Sequence, residues 1–122
     1  MKTRKTDEDL IRTIKDLKLL SYKTNKNIWK SIASMLEKPT RKKRIVNVSR
    51  INRFSKEGEI IIVPGKVLSS GSLNHKITVA AFSFSKQAIK KINESGSKTM
   101  MLKDLIKNQE LISNTKNIRI IG

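Results

Sequence analysis

Cysteine is absent from all 122 residues, and histidine occurs once, at His75. Without thiols there is no disulfide framework, no thiolate metal site and no cysteine nucleophile, and a single imidazole cannot complete the usual three-ligand His/Cys zinc site. Aromatic residues make up only 4% of the chain, which leaves few anchors for an amphipathic helix lying on a membrane. Uninterrupted apolar runs stop at four residues, as in Ile60–Val63, far short of the roughly 20 that a spanning helix needs. The opening "MKTRKTDEDL" has basic residues with no apolar stretch behind them, so it does not read as a secretory signal. Negative charge is scarce as well. Ten acidic residues face 27 Lys and Arg, a formal net charge of +17. Such an excess repels itself in a compact state and points to a polyanionic partner, without choosing among DNA, RNA and an anionic membrane. A cytoplasmic setting fits these absences.

What is present suits one small domain, 1–122, that buries roughly two-thirds of the surface its unfolded chain would expose. Residues 1–6 read as a basic tail and 7–37 as a helical extension. Thr6, followed by Asp7, Glu8 and Asp9, has the pattern of an N-cap with acids in the first turn. Leu10, Ile11, Ile14, Leu17 and Leu20 or Tyr22 then recur at helical spacing, predicting a helix over 7–22. After "YKTNKN", a second amphipathic helix carries Ile28, Trp29, Ile32, Ala33, Met35 and Leu36 and stops before Pro39. From residue 38 onward, "IVNVSRINRF", "ITVAAFSFSKQAIKKI" and "TMMLKDLIKN" each place a short apolar strand before a helical segment. Ser49 and Ser85 stand at expected N-caps, and Gly96 at an expected C-cap. The expectation is an α/β body of irregular strand–strand–helix (ββα) units behind two N-terminal amphipathic helices.

The stretch "EGEIIIVPGKVLSS" invites comparison with a phosphate-binding loop of an NTPase, G-x-x-x-x-G-K-[ST]. Its spacing fails. Six residues separate Gly58 from Gly65, four of them the strand itself, and Val67 stands where the Mg²⁺-binding hydroxyl is required. Pro64-Gly65 has instead the order of a type II turn joining two strands. His75 lies in the polar "SLNHK", which reads as a hairpin loop and suits a turn role better than acid–base catalysis. Asp7 to Asp9 read as capping acids rather than a metal site. No set of residues here makes an enzyme, and none calls for a cofactor or a small-molecule substrate.

Basic clusters carry the functional signal. From Lys38 to Lys56, "KPTRKKRIVNVSRINRFSK" holds Lys38, Arg41, Lys42, Lys43, Arg44, Arg50, Arg53 and Lys56 with no acid among them. A run like this often marks only a solvated face or tail, but "IVNV" interrupts it with residues that belong in a core. Arg50 and Arg53, spaced i, i+3, share one face of a helix beginning near Ser49. Arginine suits bidentate phosphate contact and stacking on bases, so the run reads as a phosphate-binding surface. Lys2, Arg4 and Lys5 form a second basic patch, and Lys66 is a further candidate for a backbone phosphate. Phe82 and Phe84 alternate on a strand, and Trp29 lies on an apolar helix face; all three read as core rather than as stacking platforms. A DNA-binding chromatin or regulatory module using the second helix is the competing reading, but that helix offers only Lys30 and a few serines to read bases.

Four ordered pieces, "IWKSIASMLEKPTR", "VNVSRINRF", "VPGKVLSSGSLNHKITVAAFSFSKQAIKKI" and the closing "IRIIG", together cover most of the chain. In them the sequence resembles the eighteen-e family of large-subunit ribosomal proteins in its archaeal form, relatives of bacterial large-subunit protein fifteen. The resemblance implies a non-catalytic constituent of the large ribosomal subunit, a monomer within the cytoplasmic ribosome. It implies large-subunit ribosomal RNA and neighbouring ribosomal proteins as partners, a part in subunit assembly, and an irregular ββα core. The sequence departs from the family after "LKDLIKN", where a Pro and a Gly usually precede the last strand; "NQELISNTKNIRIIG" has neither.

Overall fold

The computed structural model describes residues 5–37, 45–110 and 117–121, with the side chains of 5–7 left aside. The chain divides into two compact units, Met1–Arg41 and Lys42–Gly122.

The first unit is a helical hairpin. Helix α1 spans Lys5–Thr24 and α2 spans Asn27–Glu37, so the first helix starts earlier than its capping pattern predicts, with Thr6 already inside it. The buried stripe of α1 is Leu10, Thr13, Leu17 and Leu20, while Ile11 and Tyr22 of the expected apolar face are exposed. Thr13 tolerates burial because its hydroxyl donates to the Asp9 carbonyl at 2.7 Å. Asn25, at φ 56°, takes the left-handed conformation that ends helices, and its N–H bonds the Ser21 carbonyl. Trp29, Ile32, Ala33 and Leu36 of α2 are buried, as their spacing requires. Lys18 and Glu37 pair at 2.6 Å across the hairpin; both are half exposed, so the pair adds little stability.

The second unit is a five-stranded, wholly parallel sheet. Its elements run β1 (Ile45–Asn47), α3 (Val48–Phe54), β2 (Ile60–Leu68), β3 (Thr78–Phe84), α4 (Lys86–Glu94), β4 (Lys98–Met101), α5 (Leu102–Lys107) and β5 (Ile118–Ile120). The strand order is β1-β2-β3-β4, and β5 also pairs with β2. Parallel sheets covered on both faces favour uninterrupted aliphatic strands, and Ile60, Ile61, Ile62 and Val63 are all buried. One core joins β1–β3 to α3 and α4 through residues such as Val46, Ile51, Ile61, Val79, Ala88 and Ile92. Capping of α4 follows its sequence: the Ser85 hydroxyl accepts the Ala88 N–H at 3.1 Å, and Gly96 follows the helix end, bonding the Asn93 carbonyl.

Three local expectations are overturned. Pro64-Gly65 is not a turn between two strands, because β2 runs unbroken from Ile60 to Leu68. A type II turn needs a positive φ at its glycine, and Gly65 is not among the positive-φ glycines. The pair forms an irregularity in which the register with β3 shifts between Val63 and Lys66. On the other edge, β5 is in register with Ile60–Ile62 and β1 with Lys66–Leu68, so Pro64 falls in the gap between two neighbours, where a missing N–H costs no ladder bond.

The segment holding His75 is likewise not a hairpin loop. Strands β2 and β3 are parallel, with Ile60 opposite Thr78, so residues 69–77 must retrace the whole of β2. That is about 26 Å at roughly 3.3 Å per residue, against a maximum reach of about 33 Å for this segment. The segment is therefore a nearly taut strap, and it lies along α3. Ser49 N–H bonds the Ser70 carbonyl at 2.9 Å, Asn74 N–H bonds Asn52 Oδ1 at 2.9 Å, and His75 Nε2 lies 2.7 Å from Ser55 Oγ. Lys91 Nζ holds the strap's start by donating to the carbonyls of Ser69 and Gly71.

Finally, Ser49 does not cap α3. The N-cap position is Asn47, whose side-chain oxygen accepts the Ser70 N–H of the strap at 3.3 Å instead of capping the helix.

Candidate nucleic-acid interface

Helix α3 connects β1 to β2, and burial of Val48 and Ile51 turns one side of it into the core. Residues three apart share a helix face, so Arg50 and Arg53 emerge together on the exposed side. Both converge on the same aromatic ring. The guanidinium carbons of Arg50 and Arg53 lie 5.5 and 5.4 Å from the centroid of Phe54, within the range of cation–π attraction. Phe54 is 47% exposed. Lys56 is exposed just beyond the helix end. Among the described residues no carboxylate pairs with Arg50, Arg53, Lys56 or Lys66; the ion pairs found there are Lys18–Glu37 and Arg119–Glu59. The face is cationic and uncompensated.

Lys66 is also exposed but stands on β2, in register with Ile45 and Ser83 rather than on α3. Lys2, Arg4, Lys38, Arg41, Lys42, Lys43 and Arg44 lie outside the described residues, as does the side chain of Lys5, whose backbone opens α1. Trp29 is buried and Phe84 packs against the core of the second unit, as their positions predicted. Phe54 is the residue that sequence reasoning passed over. Its signal was available: it is the aromatic lying inside the acid-free basic run, four residues after Arg50 and adjacent to Arg53. Helix α4 adds exposed Lys86 and Lys90, also outside the predicted set.

The carboxylate nearest in sequence to this face is already committed. Glu59 is 8% exposed, and its side chain accepts the Lys56 N–H and receives Arg119 at 3.2 and 3.4 Å. Burial pushes its pKa up, but the Lys56 N–H, the Arg119 hydrogen bonds and the charges of Arg119 and Lys56 outweigh it and hold the carboxyl below its ordinary value. Among the described residues no group of three or more His, Asp or Glu is placed to hold a metal ion. None of the described helices is long and apolar enough to cross a membrane.

Fold and surface together define a class: a parallel α/β body bearing a cationic helix face, in a chain that also contains a helical hairpin. Residues 26–100 match the family model that groups ribosomal proteins 50S-L15 and 50S-L18e with their 60S counterpart. The chain belongs to this family of large-subunit ribosomal proteins. It is 43% identical over 120 residues to large ribosomal subunit protein eL18 of Methanothermobacter thermautotrophicus, an alignment covering 98% of this chain and 97% of that protein. It is 48% identical over 93 residues to the protein of the same name from Methanococcus maripaludis, covering 76% and 78% of the two chains. The Sulfurisphaera tokodaii protein of that name is 40% identical over 117 residues, 96% of each.

Proposed function

We propose that this chain is a structural, non-catalytic constituent of the large ribosomal subunit, and that it binds large-subunit ribosomal RNA through its basic surfaces and supports subunit assembly. The observation that carries the reading is the alignment, over nearly the full length of both chains, with proteins named for the large subunit. The surface supplies the means. Arg50, Arg53, Lys56 and Lys66 are exposed without a carboxylate partner among the described residues, in a chain of net charge +17. Unpaired cations of this kind release the counterions of an RNA backbone when they bind it. Lys2, Arg4, Lys5, Lys38, Arg41, Lys42, Lys43 and Arg44 extend the same chemistry along the chain. In this reading both units serve one RNA-binding protein, a monomer among neighbouring ribosomal proteins in the cytoplasmic ribosome.

Sedimentation of a cell lysate tests it directly. The chain is expected to travel with the large subunit at moderate salt. A chain that stays at the top of the gradient refutes the proposal.

A further inference from the structure

We propose that Phe54, bracketed by Arg50 and Arg53, is a stacking site for an unpaired RNA base. The inference rests on the RNA-binding reading above and deepens it by naming what this face holds. A large aromatic side chain ordinarily gains by burial, yet Phe54 stays 47% exposed at the end of a helix whose inner side is fully buried. The ring is not bare: two guanidiniums lie within 5.5 Å of its centroid. Two like charges gathered at one ring, with no carboxylate beside them among the described residues, are compensated by an incoming anion. A nucleotide offers both complements at once. Its base provides a flat π-face for the phenyl ring or a guanidinium plane, and its flanking phosphates accept the guanidinium N–H groups in bidentate fashion.

The platform is also prepared in advance. The strap fixes α3 at Ser49, Asn52 and Ser55, so little order remains to be imposed on binding. A base paired within a duplex is stacked on its neighbours and hidden from such a ring. Single-stranded loops and bulges, whose bases can be splayed out, are what aromatic and arginine planes recognise in RNA. The charge favours RNA over the competing occupant, an apolar patch of a neighbouring protein, which would leave both arginines unanswered.

The test uses the full-length chain with two probes, a single-stranded RNA 12-mer containing one 2-aminopurine and a 12-base-pair RNA duplex. Phe54→Leu is expected to weaken single-strand binding about 5- to 150-fold, the usual range for losing one stacked base, and to change duplex binding less than about 2-fold. The 2-aminopurine fluorescence change seen with the wild type should vanish with Phe54→Leu and return with Phe54→Trp. The salt slope of Phe54→Leu stays that of the wild type, since no charge is removed. Equal loss on both probes, or no loss on either, overturns the stacking site while leaving RNA binding intact; no loss on either would hand Phe54 to a protein neighbour. A wild-type chain that binds neither RNA overturns this inference and the proposed function together.

Discussion

Replacing Gly71 with alanine puts the taut strap under a quantitative test. Gly71 has φ +103°, and a Cβ built there would lie 2.4 Å from Ser49 Cβ and 2.7 Å from the Ser49 Cα and N. The obstacle is largely the backbone of α3, which cannot swing away as the tip of a side chain can. The strap cannot swing either, because its span leaves little slack and Lys91 and Ser49 hold it on both sides of the glycine. The backbone conformation alone costs an L-residue about 1–2 kcal/mol, and forcing extra volume into a close contact adds about 1–3 kcal/mol. Gly71→Ala should therefore lower stability by about 2–5 kcal/mol. Gly58 is the matched control: its φ is +85°, but nothing lies within 4 Å of an added Cβ, so Gly58→Ala carries only the conformational part, about 1–2 kcal/mol. Urea denaturation followed by circular dichroism measures both, with unfolding free energies compared at equal slope. If Gly71→Ala proves no worse than Gly58→Ala, the strap does not press on α3 and the picture of a braced helix is wrong.

Replacing both Arg50 and Arg53 with alanine should flatten the log–log salt dependence of RNA affinity by about one to two units; an unchanged slope in binding titrations would mean that this face is merely solvated. Glu59 predicts an acid limb. Its folded-state pKa lies below the ordinary 4.5, so its contribution is complete above that value and is lost as pH falls through the depressed one. Urea curves for wild type and Glu59→Gln should accordingly draw together between pH 5 and strong acid, and a constant gap would refute the assignment. Ser85→Ala removes the hydroxyl that accepts the Ala88 N–H and should cost about 0.5–2 kcal/mol by the same assay. Trp29→Ala, at a position 1% exposed in the helical hairpin, should cost about 3–5 kcal/mol, read from the loss of helical signal.

Sequence reasoning succeeded where short-range physics decides the outcome. The periodicity of Trp29, Ile32 and Leu36 marks a buried helix face wherever the partner surface lies, and Ser85 caps α4 because a hydroxyl there needs only the next three residues. It failed where a distant strand decides. Pro64-Gly65 is compatible with a turn, and only the presence of β5 below it and β1 above it on one edge turns the pair into an interruption within a strand. The "SLNHK" loop resembles a hairpin because its composition is polar; its true role follows from the parallel register of Ile60 with Thr78, which no local pattern encodes. Asn47 and Ser49 were both plausible caps, and the strap, arriving from residue 70, recruited the first away from capping altogether. At the candidate site, the shared face of Arg50 and Arg53 was legible from spacing, whereas the exposure of Phe54 was not, since an aromatic beside "VNVSRI" could equally have turned inward.

The meeting of β1 and β5 on one edge of β2 has a consequence for the order of events during synthesis. Ile60–Ile62 are made early, yet their partners on that edge, Ile118–Ile120, emerge nearly sixty residues later. Until then the central strand presents open N–H and C=O groups on an aliphatic segment, the kind of edge that templates aggregation. Long-range closure of this sort is slow. The last strand therefore acts as the latch of the body, and a chain cut before residue 117 would hold most of its core residues while leaving its stickiest edge uncovered.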